Sequence, residues 1–177
     1  MNRKGMHMLK VLALLALAAG MAIPAAAQKT DLSGTWKLNL QKSFLAGDHP
    51  AKDYEFTKVF AQQAGVVKQT DIARHVSMMN IPLPDSNITS ELVADGKEHE
   101  ITTPAPFPGM PPGKMKVVAE WQGGTLLVTE TGQSFGGRSS LRRRYFLLDD
   151  GSQLIEVVEG HNGFGDTEQR LIFDKQP

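Results

Sequence analysis

The stretch that decides the fold is Gly34-Thr35-Trp36-Lys37-Leu38-Asn39-Leu40, in which apolar and polar residues alternate. Successive side chains of an extended chain point to opposite sides, so Trp36, Leu38 and Leu40 share one face. The residues between them are polar or charged and share the other face. A period of two over this stretch predicts a β-strand with one buried face.

The rest of the chain contains further segments of this kind, separated by turn residues. The predicted strands cover 54–62, 66–72, 86–94, 97–102, 115–121, 125–131, 141–148, 153–159 and 167–173. Their connections are mostly too short for crossover helices, which predicts an antiparallel sheet. At Asp95-Gly96 we expect a type I′ turn that joins two of these strands as a tight hairpin.

The strand pattern predicts an all-β domain with roughly 8–10 strands, a number suited to closure into a small barrel. A long antiparallel meander has two exposed edges that invite aggregation, and closure removes them. We therefore expect a closed antiparallel up-and-down barrel. Such a barrel has either a filled interior or one ligand cavity.

Residues 1–27 are typical of a secretory signal peptide that is cleaved from the mature protein. After a basic start, 11–19 is a run of valine, leucine and alanine, and Ala25 and Ala27 are the small residues that signal peptidase requires. We expect cleavage after Ala27, export to the periplasm of a Gram-negative bacterium, and a single barrel domain over 28–177. No integral membrane segment is expected after cleavage.

Charge and cysteine content narrow the partners and the chemistry. The chain has 19 basic and 19 acidic residues, and the loss of residues 1–27 would remove three basic residues and no acidic one. The resulting acidic excess disfavours nucleic acid as a partner. The chain has no cysteine, which excludes disulfides, a thiolate nucleophile and a thiolate metal site.

Gly34 and Trp36 form a Gly-x-Trp motif in the first predicted strand, and Arg170 is a basic residue in the last one. This arrangement resembles the lipocalin/calycin group, and the hairpins are similar to those of its small secreted bacterial members. In that group the tryptophan closes one barrel end, and a basic residue of the last strand packs over it. The resemblance implies a structural role for all three residues and supports a fold, not an activity.

The inward phase of the predicted strands supplies candidate ligand contacts. These are the large apolar or aromatic side chains Phe56, Phe60, Met115, Trp121 and Tyr145. Lys58 interrupts the apolar face of its strand. Arg143 is the candidate polar contact, because an inward guanidinium can bind the carboxylate head of a fatty-acid-like ligand. The alternative is that it pairs with Glu156 or Glu159 on the neighbouring strand.

Residues 102–114 contain five prolines, which disfavour a central strand and favour a stiff extended loop. Phe107 and Met110 make this loop a candidate lid over the cavity. The alternative is a plain surface connection.

The histidines supply the enzymatic alternative. No pair among His49, His75, His99 and His161 has the close spacing of a zinc or metalloprotease motif. We therefore predict no metal site and no cofactor. A general base at His75 or His99 would require an imidazole that faces the cavity.

Three functions are compatible with this sequence, in order of preference. The first is a periplasmic binding or carrier protein that encloses a small apolar or amphiphilic molecule. The second is a lyase, isomerase or hydrolase that uses the same cavity with a histidine base. The third is a solid barrel that acts as a protein-interaction module. The internal volume and the residues that face it distinguish the three.

Overall fold

The computed structural model describes residues 29–45, 54–78, 81–82, 84–103, 112–134 and 137–177. Its strands are β1 (Gly34–Leu38), β2 (Glu55–Gln63), β3 (Val66–Arg74), β4 (Ser77–Met78), β5 (Ile81–Pro82), β6 (Ser86–Val93), β7 (Glu98–Thr103), β8 (Gly113–Gln122), β9 (Thr125–Ser134), β10 (Gly137–Leu147), β11 (Gln153–Asn162) and β12 (Gly165–Lys175). Over these ranges no helix is long and apolar enough to cross a membrane.

Ten of the strands form one antiparallel sheet in the order β6-β3-β2-β1-β12-β11-β10-β9-β8-β7. The first strand pairs with β2 on one side and with the last strand, β12, on the other. The two ends of the chain therefore meet at the centre of the sheet order, and the sheet curls into a barrel. This confirms the predicted all-β antiparallel barrel. The short strands β4 and β5 pair only with each other.

The barrel is nearly closed. Strands β6 and β7 are the two ends of the hydrogen-bonded order, and β6 approaches β8 across the remaining gap. Each edge strand pairs on one side, β6 with β3 and β7 with β8. The gap between them is the place where the interior reaches the surface.

The predicted hairpin at Asp95-Gly96 is wrong. Only Gly96 of this pair has a left-handed conformation, with φ of 72°, whereas a type I′ turn needs positive φ at both central residues. The linking segment is instead attached to both sides of the gap, because the Ala94 amide donates to the Gly65 carbonyl and the Gly96 amide donates to the Ala119 carbonyl, each at 2.9 Å. Both central residues have positive φ at Ala64-Gly65, between β2 and β3.

Strand alternation builds one continuous apolar core inside the barrel. Every strand of the large sheet except β7 contributes a fully buried apolar side chain, and Ile101 of β7 packs against the cluster. The largest members are Trp36, Phe60, Leu126, Tyr145, Leu154 and Phe173. The observed core therefore follows the period of two that the sequence shows.

Trp36 is fully buried at the end of the barrel where β1 begins. Its indole Nε1 donates to the Leu32 carbonyl at 2.9 Å, and Gly34 lies against the same ring. The cation over the indole is the Lys175 ammonium, 5.4 Å from the ring centroid.

The predicted packing of Arg170 over Trp36 is therefore corrected. Arg170 is exposed and out of phase with the buried residues Leu171 and Phe173 of β12, so its side chain points away from the interior. Lys175 is in phase with them and takes that position. Residues 1–27 and the lid candidates Phe107 and Met110 lie outside the described residues.

The substitution Gly34→Ala tests the barrel end. Gly34 has φ of 139°, a conformation that L-residues rarely adopt, so we expect the variant to lose about 1–3 kcal/mol of unfolding free energy in chemical denaturation. The matched control is Gly132→Ala, because a Cβ there meets only ordinary contacts of 3.8 Å or more. Equal stabilities of the two variants would contradict a conformational requirement at Gly34.

Candidate functional site

A cavity of about 540 Å³ occupies the barrel interior beside the gap. Strands β3 and β6 form one of its walls, and strands β7 to β10 form the other. Its lining residues are Gln69, Asp71, Asn87, Ile88, Thr89, Ser90, Leu92, Ile101, Thr102, Thr103, Pro112, Met115, Val128, Glu130, Arg143 and Tyr145.

The cavity extends into the gap between the edge strands. In a closed wall, alternate residues of a strand face opposite sides of the sheet. At the two edges, by contrast, consecutive residues line the cavity, 87–90 on β6 and 101–103 on β7. Ile88 is in the inward phase, opposite Asp71, yet it is 41% exposed. An inward apolar side chain with that exposure marks an opening to solvent.

A buried charge centre lies next to the cavity. The Glu156 side chain is fully buried and that of Lys58 is 1% exposed, and their closest charged atoms are 3.3 Å apart. Arg143 Nη1 donates to Glu156 at 2.9 Å, and the Tyr145 hydroxyl donates to the same carboxylate oxygen at 3.0 Å. Glu156 thus has a cation on each side and a neutral donor between them.

Two further carboxylates complete the network and reach the cavity. Lys58 Nζ donates to both oxygens of Asp71 at 3.1 and 3.2 Å, and Gln69 donates to the same carboxylate. Glu130 lies 3.4 Å from Arg143 Nε. The buried network therefore links β2, β3, β9, β10 and β11.

The charges of this network stabilise one another. Burial acts to raise the pKa of Glu156, but the charges of Lys58 and Arg143 outweigh it, and the pKa is lowered from its ordinary value. Burial, together with the Glu156 charge, raises the pKa of Tyr145 well above its ordinary value. Glu156 is therefore ionised and Tyr145 neutral at pH 7, in agreement with the direction of their hydrogen bond.

Aromatic rings enclose the Lys58 ammonium on its remaining sides. Its Nζ lies 4.9 Å from the ring centroid of Phe56, 5.6 Å from that of Tyr145 and 5.9 Å from that of Phe173. These distances are within the range of cation–π attraction. The rings exclude water while their π faces offset part of the cost of burying the cation.

Of the predicted ligand contacts, Met115, Arg143 and Tyr145 line the cavity. Phe56 and Phe60 point inward but belong to the packed part of the interior. Phe56 contacts Phe173 with ring centroids 5.9 Å apart, and Phe60 contacts Tyr145 edge-on at 5.4 Å.

Trp121 lies away from the cavity, and the predicted contact with the same ligand is not supported by its position. It packs against the core and borders a separate recess beside the β2–β3 turn. Its phase was read correctly, but its position along β8 is at the other end of the strand from Met115.

In the arginine-rich strand, the structure shows the predicted inward orientation of Arg143 and the alternative pairing with Glu156. Arg143 faces the interior and pairs with Glu156, so it lines the cavity and is also neutralised. On the outer face, Arg142 and Arg144 both pair with Glu159.

Sequence reasoning named Glu156 only as a pairing partner of Arg143, and it missed Lys58, Asp71 and Glu130 as members of the site. Their signal was present in the alternation, because Lys58 falls between Phe56 and Phe60 and Glu156 falls between Leu154 and Val158. A lysine and a glutamate that each interrupt an apolar face in phase are candidates for a buried pair.

The described histidines lie away from the cavity lining. The side chains of His99 and His161 contact the carboxylates of Asp95 and Asp166. His161 is exposed, whereas His99 is half-buried in the inward phase of β7, opposite Val117. His75 is exposed at the end of β3, where its amide donates to Asp85. None of the three lines the cavity, and His49 lies outside the described residues. The described part of the chain contains no group of three His, Cys, Asp or Glu side chains suited to a metal ion.

Several solved structures have a fold similar to that of this chain. The chain is similar to a structure titled "REP1-NXSQ fatty acid transporter" (14% identity, 83% of this chain and 97% of that chain covered, TM-score 0.50). It is similar to the zebrafish ileal bile acid-binding protein complexed with cholic acid (16%, 81% and 98%, TM-score 0.51) and to human cRBP IV (18%, 83% and 99%, TM-score 0.50).

These proteins are lipocalin- and fatty-acid-binding-protein-like calycin barrels, and the chain shares their fold. The resemblance to the lipocalin/calycin group is thereby confirmed at the level of fold. No family model and no curated protein matches the sequence.

The substitution Glu156→Gln tests the charge centre. It leaves Lys58 and Arg143 buried without their shared anion, so we expect a loss of about 3 kcal/mol of unfolding free energy at pH 7. Because the folded-state pKa of Glu156 is lowered, its ionisation stabilises the wild type above the ordinary value of about 4.3, and this contribution is lost as the pH falls through the folded-state pKa.

The measurement is urea denaturation of wild type and variant at several pH values between 7 and 3. The difference between their stabilities should shrink below about pH 4.3. Glu168→Gln, on the exposed part of β12, is the control and should follow the wild type. A constant difference between wild type and Glu156→Gln at all pH values would contradict an ionised Glu156.

Proposed function

We propose that this protein binds and carries a small, mostly apolar ligand in the barrel cavity, and that it does so in the periplasm after export. The observation that carries the binding function is the cavity of about 540 Å³, open at the gap between β6 and β7. This volume is within the range of roughly 300–1,000 Å³ that small-molecule sites occupy. An interaction module of the solid-barrel type would need a filled interior, and the cavity among the described residues favours a binding protein instead.

The lining supports a ligand with a long apolar part and one polar end. Ile88, Leu92 and Ile101 lie on the edge strands and Met115 and Val128 on the wall behind them, so an apolar chain that enters through the gap buries its surface against them. The charged residues of the lining are Asp71, Glu130 and Arg143, and they can fix the orientation of one end. Similar barrels include a fatty acid transporter and a bile acid-binding protein, which also supports this function.

The enzymatic alternative has less support among the described residues. It requires an imidazole at the cavity, and the described histidines, His75, His99 and His161, lie elsewhere. We therefore propose binding without a chemical step.

Thiol labelling tests where the ligand binds. Because the chain has no cysteine, Ile88→Cys introduces a unique thiol at the cavity opening. We expect saturation with dodecan-1-ol to slow its reaction with a maleimide at least about tenfold, because a ligand in the cavity excludes the reagent.

The matched control is Val93→Cys on the same strand. Val93 is 37% exposed and in the outward phase of β6, so its labelling rate should be unchanged by the alcohol. Equal protection of both thiols would contradict binding in the cavity. The same holds if saturating dodecan-1-ol protects neither thiol.

Export is tested by expressing the full chain in a Gram-negative host. We expect the protein in the periplasmic fraction with an N-terminus at Gln28, because Ala25 and Ala27 fit the signal-peptidase subsites. Ala27→Arg should retain residues 1–27. Recovery of an uncleaved wild-type chain in the cytoplasm would contradict export.

A further inference from the structure

We propose that the cavity selects amphiphiles with a cationic, hydrogen-bond-donating head, such as a primary ammonium, over amphiphiles with a carboxylate head. This inference rests on the proposed binding function and specifies its ligand class. It reverses the role that the sequence suggested for Arg143 as a receptor for a carboxylate.

The charges that face the interior have an acidic excess. Asp71, Glu130 and Glu156 provide three carboxylates, and Lys58 and Arg143 provide two cations. The neighbouring Tyr145 is neutral because burial raises its pKa. A ligand with one positive charge would balance this set, whereas a carboxylate would add a fourth negative charge in a region of low dielectric.

Both interior cations are already engaged by protein carboxylates. Lys58 is 1% exposed and held between Asp71 and Glu156. Arg143 uses Nη1 for Glu156 at 2.9 Å and faces Glu130 with Nε at 3.4 Å. Arg143 has five N–H donors, and a carboxylate ligand at the donors that these contacts leave would lie beside Glu130 and Glu156, whose negative charges oppose a further anion.

Three charged side chains at the cavity are accessible, and two of them are acidic; the third, Arg143, is 25% exposed and already paired with Glu156. Asp71 and Glu130 line it from opposite walls, on β3 and β9, and their side chains are 28% and 18% exposed. The contact of Glu130 with Arg143 is long for a hydrogen bond, and a carboxylate offers about four acceptor positions. Glu130 therefore has acceptor capacity for an ammonium group, which brings three donors.

The experiment measures displacement of Nile red, a neutral apolar fluorophore, from the purified protein at pH 7. The competitors are dodecan-1-ol, dodecylamine and dodecanoate, which share one chain length and differ in head charge, each used below its micelle concentration. The alcohol reports on the proposed binding function alone. The ratio of amine to carboxylate affinity reports on head-group selection.

For the wild type we expect dodecan-1-ol to displace Nile red. We expect dodecylamine to bind at least about tenfold more tightly than dodecanoate. Glu130→Gln should reduce the amine-to-carboxylate ratio at least about fivefold, since it removes one accessible charge and partly frees Arg143. Glu168→Gln on the outer wall is the control and should leave the ratio unchanged.

The two proposals fail in different ways. Dodecanoate binding equal to or tighter than dodecylamine binding, with the alcohol bound, would overturn the head-group selection and leave the carrier function standing. Failure of Nile red to bind, or failure of all three competitors to displace it, would overturn the carrier function itself. The amine-to-carboxylate affinity ratio of the wild type tests the head-group selection even if Glu130→Gln does not fold. An unchanged ratio in a folded Glu130→Gln variant would exclude Glu130 as the group that binds the ammonium head.

Discussion

Glu156 stays ionised in the interior of this barrel only because Lys58 and Arg143 flank it. An isolated buried carboxylate would be strongly destabilising, and so would either cation alone. The three side chains come from β11, β2 and β10, so their pairing is satisfied only when these strands occupy their observed places around the barrel. The apolar core supplies most of the driving force for folding, but it is less specific, since many arrangements bury the same area. The charge centre therefore acts as a condition that the register of the barrel has to meet.

This centre also divides the interior into two parts. On one side, Trp36, Phe60, Leu154 and Phe173 fill the barrel without leaving space for a ligand. On the other, the walls diverge toward β6 and β7, and the cavity extends between them. Asp71, Glu130 and Arg143 stand at the boundary, where they are partly exposed. The same groups that stabilise the interior thus determine the charge that a ligand meets at the bottom of the cavity.

The incomplete closure has a clear local cause. Strands β6 and β7 follow each other along the chain, and elsewhere in this sheet neighbours in sequence with a tight turn form hairpins. Here the amides of Ala94 and Gly96 donate to Gly65 and Ala119 on opposite sides of the gap. The segment that links the two strands is thereby held to both walls, and the strands diverge from it. An open edge is normally a liability for aggregation, and in this barrel it coincides with the cavity opening.

The Gly-x-Trp motif predicts part of the barrel end correctly. Gly34 and Trp36 have the positions that the resemblance implies, because they lie within one strand whose alternation fixes their faces. The prediction of Arg170 rests on residue type alone, whereas Leu171, Phe173 and Lys175 form the inward phase of β12, and Lys175 covers the indole. The alternation of apolar residues in β12 therefore indicates Lys175 and not Arg170.

What the sequence determined by itself is therefore local: the period of two, the strand segments, and the face on which each side chain falls. These depend on backbone geometry within a few residues, and they sufficed for the all-β antiparallel barrel and for the inward orientation of Tyr145, Met115 and Arg143. Tertiary structure alone decided that Lys58 meets Glu156, that Arg143 is already neutralised, and that β6 and β7 stay apart. The reason is that these outcomes depend on the register between strands far apart in the chain, which is set by closure of the whole sheet and by the need to pair every buried charge.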